Sequence, residues 1–274
     1  MLGSISLSSC YVNLGIISFG TPDEEQQQEQ QQQNTSNSSS GSQTIVEGGY
    51  TLTPQEDIDA YYSSITDQKG SNLLSALKLV INTSSFRASY DWPRFEKADE
   101  DPANKNNVIL IYARTSVKKT DHVSGSTGWN REHTFPQSKL NDAQAEVDNH
   151  IIFASDCEVN KTRSNYKLGV VSSGSEVYDS YGQKTTCLLG NQKFDPNNEA
   201  RGIVARATMY AAAMYGYDPT YNFESIATML KWHNDYPVTK FEQSRNAKVH
   251  NLQKNRNPFV DHPEYASKIW GTAS

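Results

Sequence analysis

The sequence predicts a mixed α+β domain, with a few short strands near the middle of the chain and helices around them. Three observations point there. Leu73, Leu74, Leu77, Val80 and Ile81 follow helical spacing, residues 107–112 form a short β-branched run, and three long stretches after residue 199 carry helical pattern.

The elements follow in chain order. Pro54 followed by Gln55, Glu56 and Asp57 reads as a helix start, because proline suits the first turn and acids complement the positive end of the helix dipole. Ser71 is the expected cap of the second helix, the one with the leucine stripe. Residues 107–112 (NVILIY) read as a buried strand. Residues 129–165 read as strand, loop, a second strand at 149–153, then a polar helical stretch. Residues 190–198 read as a turn-rich loop, and helices are expected at 200–214, 223–233 and 238–253.

Composition narrows the function. Of 274 residues, 36% are hydrophobic and 20% charged, which suits a globular chain for most of its length. No apolar run approaches the roughly 20 residues that span a bilayer, which excludes an integral helical membrane protein. The net charge is −6, so bulk positive charge cannot attract nucleic acid, and any phosphate site must be local.

The N-terminal part divides into two. Residues 1–21 are mildly apolar without Lys or Arg, and residues 22–45 are a Gln/Ser-rich tract that cannot bury enough apolar surface to offset its ordering entropy. The tract is expected to be a disordered linker, leaving residues 46–274 as the globular domain. Leu7-Ser8-Ser9-Cys10 resembles the lipobox of bacterial lipoproteins, although no positive residue precedes it and the stretch is short for a signal core. Cys10 is therefore a candidate lipidation site and the segment a candidate truncated signal. The expected location is extracellular or at a bacterial cell surface, secreted or lipid-anchored. Cys157 and Cys187 then remain as a pair that an exported protein could oxidise; two ordinary buried thiols is the favoured reading.

Chemistry concentrates in two strings. The first is Trp129-Asn130-Arg131-Glu132-His133-Thr134-Phe135-Pro136. A carboxylate holds a hard cation through oxygen, and a neighbouring imidazole takes a proton from water near neutral pH, which is what metal-assisted hydrolysis needs. Adjacent strand residues face opposite ways, so the strand must end or twist for Glu132 and His133 to converge. The second string runs from Asp148 to Asn165 (DNHIIFASDCEVNKTRSN). There Asp156 can cap a helix on which Asn160 lies one turn later on the same face, able to offer an amide oxygen beside Glu132.

Together, WNREHTFP and DNHIIFASDCEVNKTRSN closely resemble the endonuclease I family of His-Me finger (ββα-metal) nucleases. The resemblance continues through Tyr61-Tyr62, residues 99–104, residues 200–210, Leu230-Lys231-Trp232-His233 and residues 255–263 (NRNPFVDHP), and covers roughly residues 56–270. It implies a small β-sheet core surrounded by helices, with His133 as the general base, Glu132 as the carboxylate metal ligand and Asn160 as the amide ligand. The implied cofactor is Mg²⁺, with Mn²⁺ or Ca²⁺ as substitutes, and the implied products carry 5′-phosphate and 3′-hydroxyl ends. His133 needs an orienting partner, for which Asp148 or a main-chain carbonyl could serve. The sequence departs from the family in one place. The loop between the finger strands, residues 137–146, holds Lys139 but no arginine to bind the scissile phosphate. Arg131, Lys139, Arg163 and Arg206 are the candidate substitutes.

The other histidines carry structural readings. His150 is expected to orient the finger, His233 to place its charge against a helix end, and His262 to cap or brace, while His122 and His250 show nothing beyond solvent exposure. Asn257 and Pro258 are expected to fix a tight turn. Between residues 231 and 256, the cations Lys231, Lys240, Arg245, Lys248, Lys254 and Arg256 face only Asp235 and Glu242, an expected phosphate-backbone track without base specificity. DNA, RNA or both is the expected partner; no protein partner is inferable and a monomer is expected. Three functions are carried forward: a metal-dependent, largely sequence-nonspecific endonuclease; an extracellular ribonuclease; and a catalytically inactive cell-surface nucleic-acid-binding module of the same fold. Intact Glu132, His133 and Asn160 weigh against the last.

Overall fold

The computed structural model describes residues 44–123 and 127–271. The segments 1–21 and 22–43, with Cys10, lie outside the described residues. The chain begins with the antiparallel pair β1 (Ile45–Glu47) and β2 (Tyr50–Leu52), so strand structure starts one residue inside the expected linker. Next come α1 (Gln55–Tyr61), α2 (Gly70–Ile81) and α3 (Trp92–Ala98), then an antiparallel three-stranded sheet of β3 (Glu100–Asp101), β4 (Asn104–Ile109) and β5 (Ser116–Lys118). Strands β6 (Trp129–His133) and β7 (Ile152–Asp156) form an antiparallel pair in which Trp129 faces Asp156 and His133 faces Ile152, and α4 (Cys157–Arg163) follows without a gap. A four-stranded mixed sheet of β8 (Lys167–Leu168), β9 (Ser175–Tyr178), β10 (Lys184–Gly190) and β11 (Lys193–Asp195) follows in the order β8-β11-β10-β9. The chain closes with α5 (Asn198–Tyr215), α6 (Ile226–Asp235), α7 (Lys240–Gln253), α8 (Pro258–Asp261) and α9 (Tyr265–Trp270). This is a mixed helix-and-sheet fold, as expected, and Ser42–Ser274 is one compact unit. Among the described residues no helix is long and apolar enough to cross a membrane.

The core is organised around α5, which is buried on every side from Ile203 to Met214. Alanines at 205, 207, 211, 212 and 213 let neighbouring elements approach closely, so this helix has no polar face to give to solvent. Asn197 caps its start by accepting from the Ala200 amide, and Gly216, with φ of 78°, ends it in the left-handed conformation that glycine tolerates best. A side chain at Gly202 would meet the Tyr236 carbonyl oxygen at 2.3 Å, so glycine is what permits the end of α6 to lie against α5. Helix α2 buries Leu73, Leu77 and Ile81, with Leu74 and Val80 half-buried.

Several local expectations are corrected. Lys69, with no side-chain cap, precedes α2, and Ser71 lies inside its first turn. The apolar run stops being strand at Ile109; Leu110, Ile111 and Tyr112 stay buried but leave the sheet, turning toward β7 and α5. Residues 190–198 are no simple loop. Asn191 and Gln192, with φ of 51° and 57°, form a two-residue turn that pairs β10 with β11. The usual Asn-Gly signal of such a turn is missing here, which hid the hairpin.

The basic track is also corrected. Arg245 is buried against Asp99 at 2.6 Å, Arg256 against Asp261 at 2.7 Å, and Lys248 lies 3.7 Å from Glu100. Lys231 pairs with Asp235 and Lys240 with Glu47 at the surface, which leaves Lys254 as an exposed cation bonded to a main-chain carbonyl. Half of the run is spent inside the protein: Arg245 and Lys248 bind α7 to Asp99 and β3, and Arg256 binds Asp261 of α8. Both described cysteines are free and buried.

Burial also decides the histidines. His150 donates its amide to Asp148, packs on Tyr210, and is held by burial at about 3. His233 is buried with Nε2 against the Pro263 carbonyl and is pushed down to about 4, so it is neutral and its expected charge at the helix end is not present. His250 is half-buried, not a solvent histidine, and is likewise lowered to about 4. His262 ends α8 and stacks on Tyr265. His122 is stacked on Trp92 and lies 3.4 Å from Glu96. Asn257 caps α8 from its side chain and Pro258 starts that helix, so the expected tight turn is a short helix start.

A lowered histidine pKa binds fewer protons in the folded chain than in the unfolded one. Stability from these groups is therefore intact above pH 6.5 and lost as the pH falls toward 4 and then 3. At about 1.4 kcal/mol per unit, His150 alone withdraws about 4 kcal/mol over that window. Glu132, raised to about 7, and Asp148, also raised by burial, work in the opposite direction, but as two carboxyls against four histidines, since burial lowers His133 as well. The thermal midpoint is expected to fall steeply from pH 6.5 to 4. A midpoint flat across that range would show that these imidazoles reach solvent.

Candidate active site

Strand β6 delivers Arg131, Glu132 and His133 in succession to an open cleft of about 340 Å³, and α4 delivers Asn160 to the same cleft. Alternation along the strand puts Arg131 and His133 on one face and Glu132 on the other. The strand ends at His133, so all three reach the cleft from its last turn of backbone. Helix α4 is anchored by Asp156, whose carboxylate accepts the amides of Glu158 and Val159 and also the Ser180 amide and hydroxyl. That cap fixes where Asn160 stands, four residues on.

Glu132 is buried, with Oε1 accepting the Tyr112 hydroxyl at 2.8 Å and lying 3.4 Å from Arg163 Nε. The Arg163 contact is close enough to pair charges but is not aligned as a hydrogen bond. Burial pushes the Glu132 carboxyl up to about 7, against the pull of Arg163 and the Tyr112 hydrogen bond. Among the described residues nothing hydrogen-bonds its second oxygen, Oε2. Asn160 directs its amide nitrogen to Asn130 Oδ1 at 2.7 Å and to the Arg131 carbonyl at 3.4 Å, which leaves Oδ1 without a hydrogen-bond partner among the described residues. No cluster of three or more His, Cys, Asp and Glu side chains with metal-ligating spacing occurs among the described residues. The donors present, one carboxylate oxygen and one amide oxygen beside open cleft, fit a hard divalent cation that keeps most of its water.

His133 is nearly buried, and its Nε2 lies 3.0 Å from the Glu146 carbonyl, a contact only an N–H can make favourably. Nδ1 therefore carries the lone pair. Burial is the main cause that lowers its pKa below the ordinary 6.5. The orienting partner is this main-chain carbonyl and not Asp148. Asp148 is fully buried, accepts from Tyr210, Tyr215, Gln253 and the His150 amide, and serves as a structural hub.

Of the four candidate phosphate cations, the structure keeps one at the cleft with room to act. Arg131 lines it half-exposed, donating Nη1 to the Tyr90 carbonyl at 2.6 Å. Arg163 also lines it but is buried, with Nη1 on the His133 and Ser164 carbonyls and Nη2 on the Thr134 carbonyl and Asn222 Oδ1. Its guanidinium is consumed in holding the site together. Arg206 is corrected outright: it is buried against Glu242 at 2.6 Å inside the helical half. Lys139 sits exposed on the short 3-10 turn Gln137–Lys139 and is not brought to the cleft wall. Sequence reasoning missed Tyr112 and Tyr90. Tyr112 closes an apolar run and reads as core, and Tyr90 lies in a polar stretch with no pattern.

A family model for endonuclease I matches residues 69–264, which include every one of these cleft residues. The chain belongs to the endonuclease I family. Relatives of this family member include the extracellular ribonuclease of Bacillus amyloliquefaciens, 35% identical over 241 residues that cover 80% of this chain and 81% of the relative. The extracellular ribonuclease of Bacillus subtilis (strain 168) is 29% identical over 84% of this chain and 85% of its own length. An extracellular deoxyribonuclease of Aeromonas hydrophila is 32% identical over a shorter stretch, 43% of this chain and 51% of that protein.

Proposed function

We propose that the chain is a metal-dependent endonuclease of the His-Me finger type, largely indifferent to sequence, that hydrolyses phosphodiester bonds to leave 5′-phosphate and 3′-hydroxyl ends. One observation carries the reading: Glu132 and Asn160 each turn an unbonded oxygen into the cleft in which His133 keeps an unprotonated ring nitrogen. His133 Nδ1 takes the proton of the attacking water, and the Glu146 carbonyl holds the ring in the tautomer that allows it. Glu132 and Asn160 hold Mg²⁺, with Mn²⁺ or Ca²⁺ able to stand in. The ion, when bound, supplies charge stabilisation at phosphorus and at the leaving 3′ oxygen. Arg131 faces the scissile phosphate and takes the place of the arginine that the finger loop lacks.

RNA is the favoured substrate, with DNA also cut. The relatives named ribonuclease align over four-fifths of the chain, whereas the Aeromonas deoxyribonuclease aligns over less than half. The extracellular relatives also support an exported protein. Whether Cys10 carries a lipid is a separate proposal, checked by the mass of the mature N-terminal peptide from membrane and medium fractions.

The test is cleavage of total RNA and of supercoiled plasmid by the full chain, with Mg²⁺ and with EDTA. Cutting of both, faster on RNA and lost in EDTA, is expected. In Asn160→Ala the half-saturating Mg²⁺ concentration is expected to rise about tenfold. An unchanged titration would remove Asn160 from the ligand set, and EDTA-resistant cutting would remove the metal.

A further inference from the structure

A continuous stack of flat groups runs from the surface to the proposed base. His122 lies parallel to Trp92, with centroids 4.2 Å apart and planes at 12°. The Arg131 guanidinium comes next, 4.0 Å from the Trp92 centroid and 3.6 Å from that of Tyr90. The Tyr90 ring in turn stacks on His133 at 5.8 Å and 28°. Arg131 and His133 are two residues apart on β6 and so share one face of the strand, and Tyr90 lies over that face against both. Tyr90 itself comes from the segment between α2 and α3, outside the strand-strand-helix unit that carries the other cleft residues.

We propose that Tyr90 is a positioning residue of the active site, whose ring fixes the Arg131 guanidinium against Trp92 and holds it in one relation to the His133 imidazole. The proposal rests on the reading of Arg131 as the phosphate-facing cation. Tyr90 is 38% exposed and meets the core at Phe95, edge to face with centroids 5.7 Å apart, so core packing accounts for only part of its place. A guanidinium held between two aromatic faces keeps its stacking on both sides and presents its N–H edge outward, in the plane where a phosphate's oxygens can be met in pairs. Besides any contact with the phenol, Arg131 donates Nη1 to the Tyr90 main-chain carbonyl at 2.6 Å, a bond that no side-chain substitution removes. Shortening the side chain therefore removes the ring and leaves that tether, which makes the contribution of the ring separable.

An arginine aimed at charge that develops in the transition state matters more there than for ground-state binding. Tyr90→Phe keeps the face and is expected to retain the wild-type rate within about threefold. Tyr90→Ala is expected to lower kcat about tenfold to a hundredfold on single-stranded RNA in Mg²⁺, with KM within about threefold. Tyr90→Leu, which fills most of the space without an aromatic face, should behave like Tyr90→Ala, and it serves if the alanine variant fails to fold. The double variant of Tyr90→Ala with Arg131→Ala should be no slower than Arg131→Ala alone, because Tyr90 acts through Arg131. Multiplicative losses in the double variant, or wild-type kcat in folded Tyr90→Leu, would overturn the proposal while leaving the nuclease reading intact. No metal-dependent cleavage by the wild-type chain would overturn both.

Discussion

His133→Ala is expected to lower the cleavage rate about 10²- to 10⁴-fold, the usual contribution of a positioned general base, while the chain stays folded. The imidazole is fixed by the Glu146 carbonyl on one nitrogen, and no buried ion pair depends on it. Its loss removes a proton acceptor without leaving a charge stranded. The wild-type pH profile carries the same assignment. Burial lowers the His133 pKa, and a base works unprotonated, so the acid limb of the rate at saturating Mg²⁺ is expected below pH 6.5, not at it. The residual rate of His133→Ala should lack that limb. A variant as fast as wild type would take His133 out of the mechanism.

Arg163→Met is expected to be the most damaging single change to the site's architecture. Arg163 and Glu132 are both buried, at side-chain exposures of 1% and 4%, and removing one partner leaves an uncompensated carboxylate. That costs about 3 to 5 kcal/mol, before the lost bonds to the His133, Thr134 and Ser164 carbonyls and to Asn222 are counted. The pH dependence has a definite sign. Burial already raises Glu132 to about 7, and Arg163 is the strongest force holding it down, so its pKa must climb in the variant. A carboxyl raised in the folded state binds more protons there than when unfolded, so the variant's deficit is largest at pH 8 and shrinks as the pH falls toward 6. Urea unfolding at both pH values measures this, and a pH-independent deficit would mean that Glu132 does not feel Arg163. Mg²⁺ affinity should fall in parallel, since a proton competes more strongly for the same oxygens.

Much of this was legible in the chain. The order of strand, loop, strand and helix through residues 129–163 follows from local patterning, and so does the cap at Asp156 that fixes Asn160 four residues on. The three C-terminal helices fall within a few residues of their expected limits, because helical spacing and caps are properties of neighbouring residues. The hairpin at Asn191-Gln192 was hidden because its turn uses left-handed backbone at residues that do not advertise it.

The sequence by itself determined which chemical groups the site contains: Glu132, His133, Asn160 and a supply of cations, arranged on elements that local rules can place. Only the tertiary structure decided what those groups are free to do. Arg206 and Arg245 look as available in sequence as Arg131, yet Glu242, 36 residues away, and Asp99, 146 residues away, neutralise them inside the protein. The His133 imidazole is oriented by a carbonyl 13 residues on, not by the carboxylate of Asp148, which two tyrosines from α5 claim. Charge is a local property of a residue, whereas its access to solvent and its partners depend on residues far away along the chain that packing brings against it. That is why the sequence names the functional groups, and the fold selects which of them face the substrate.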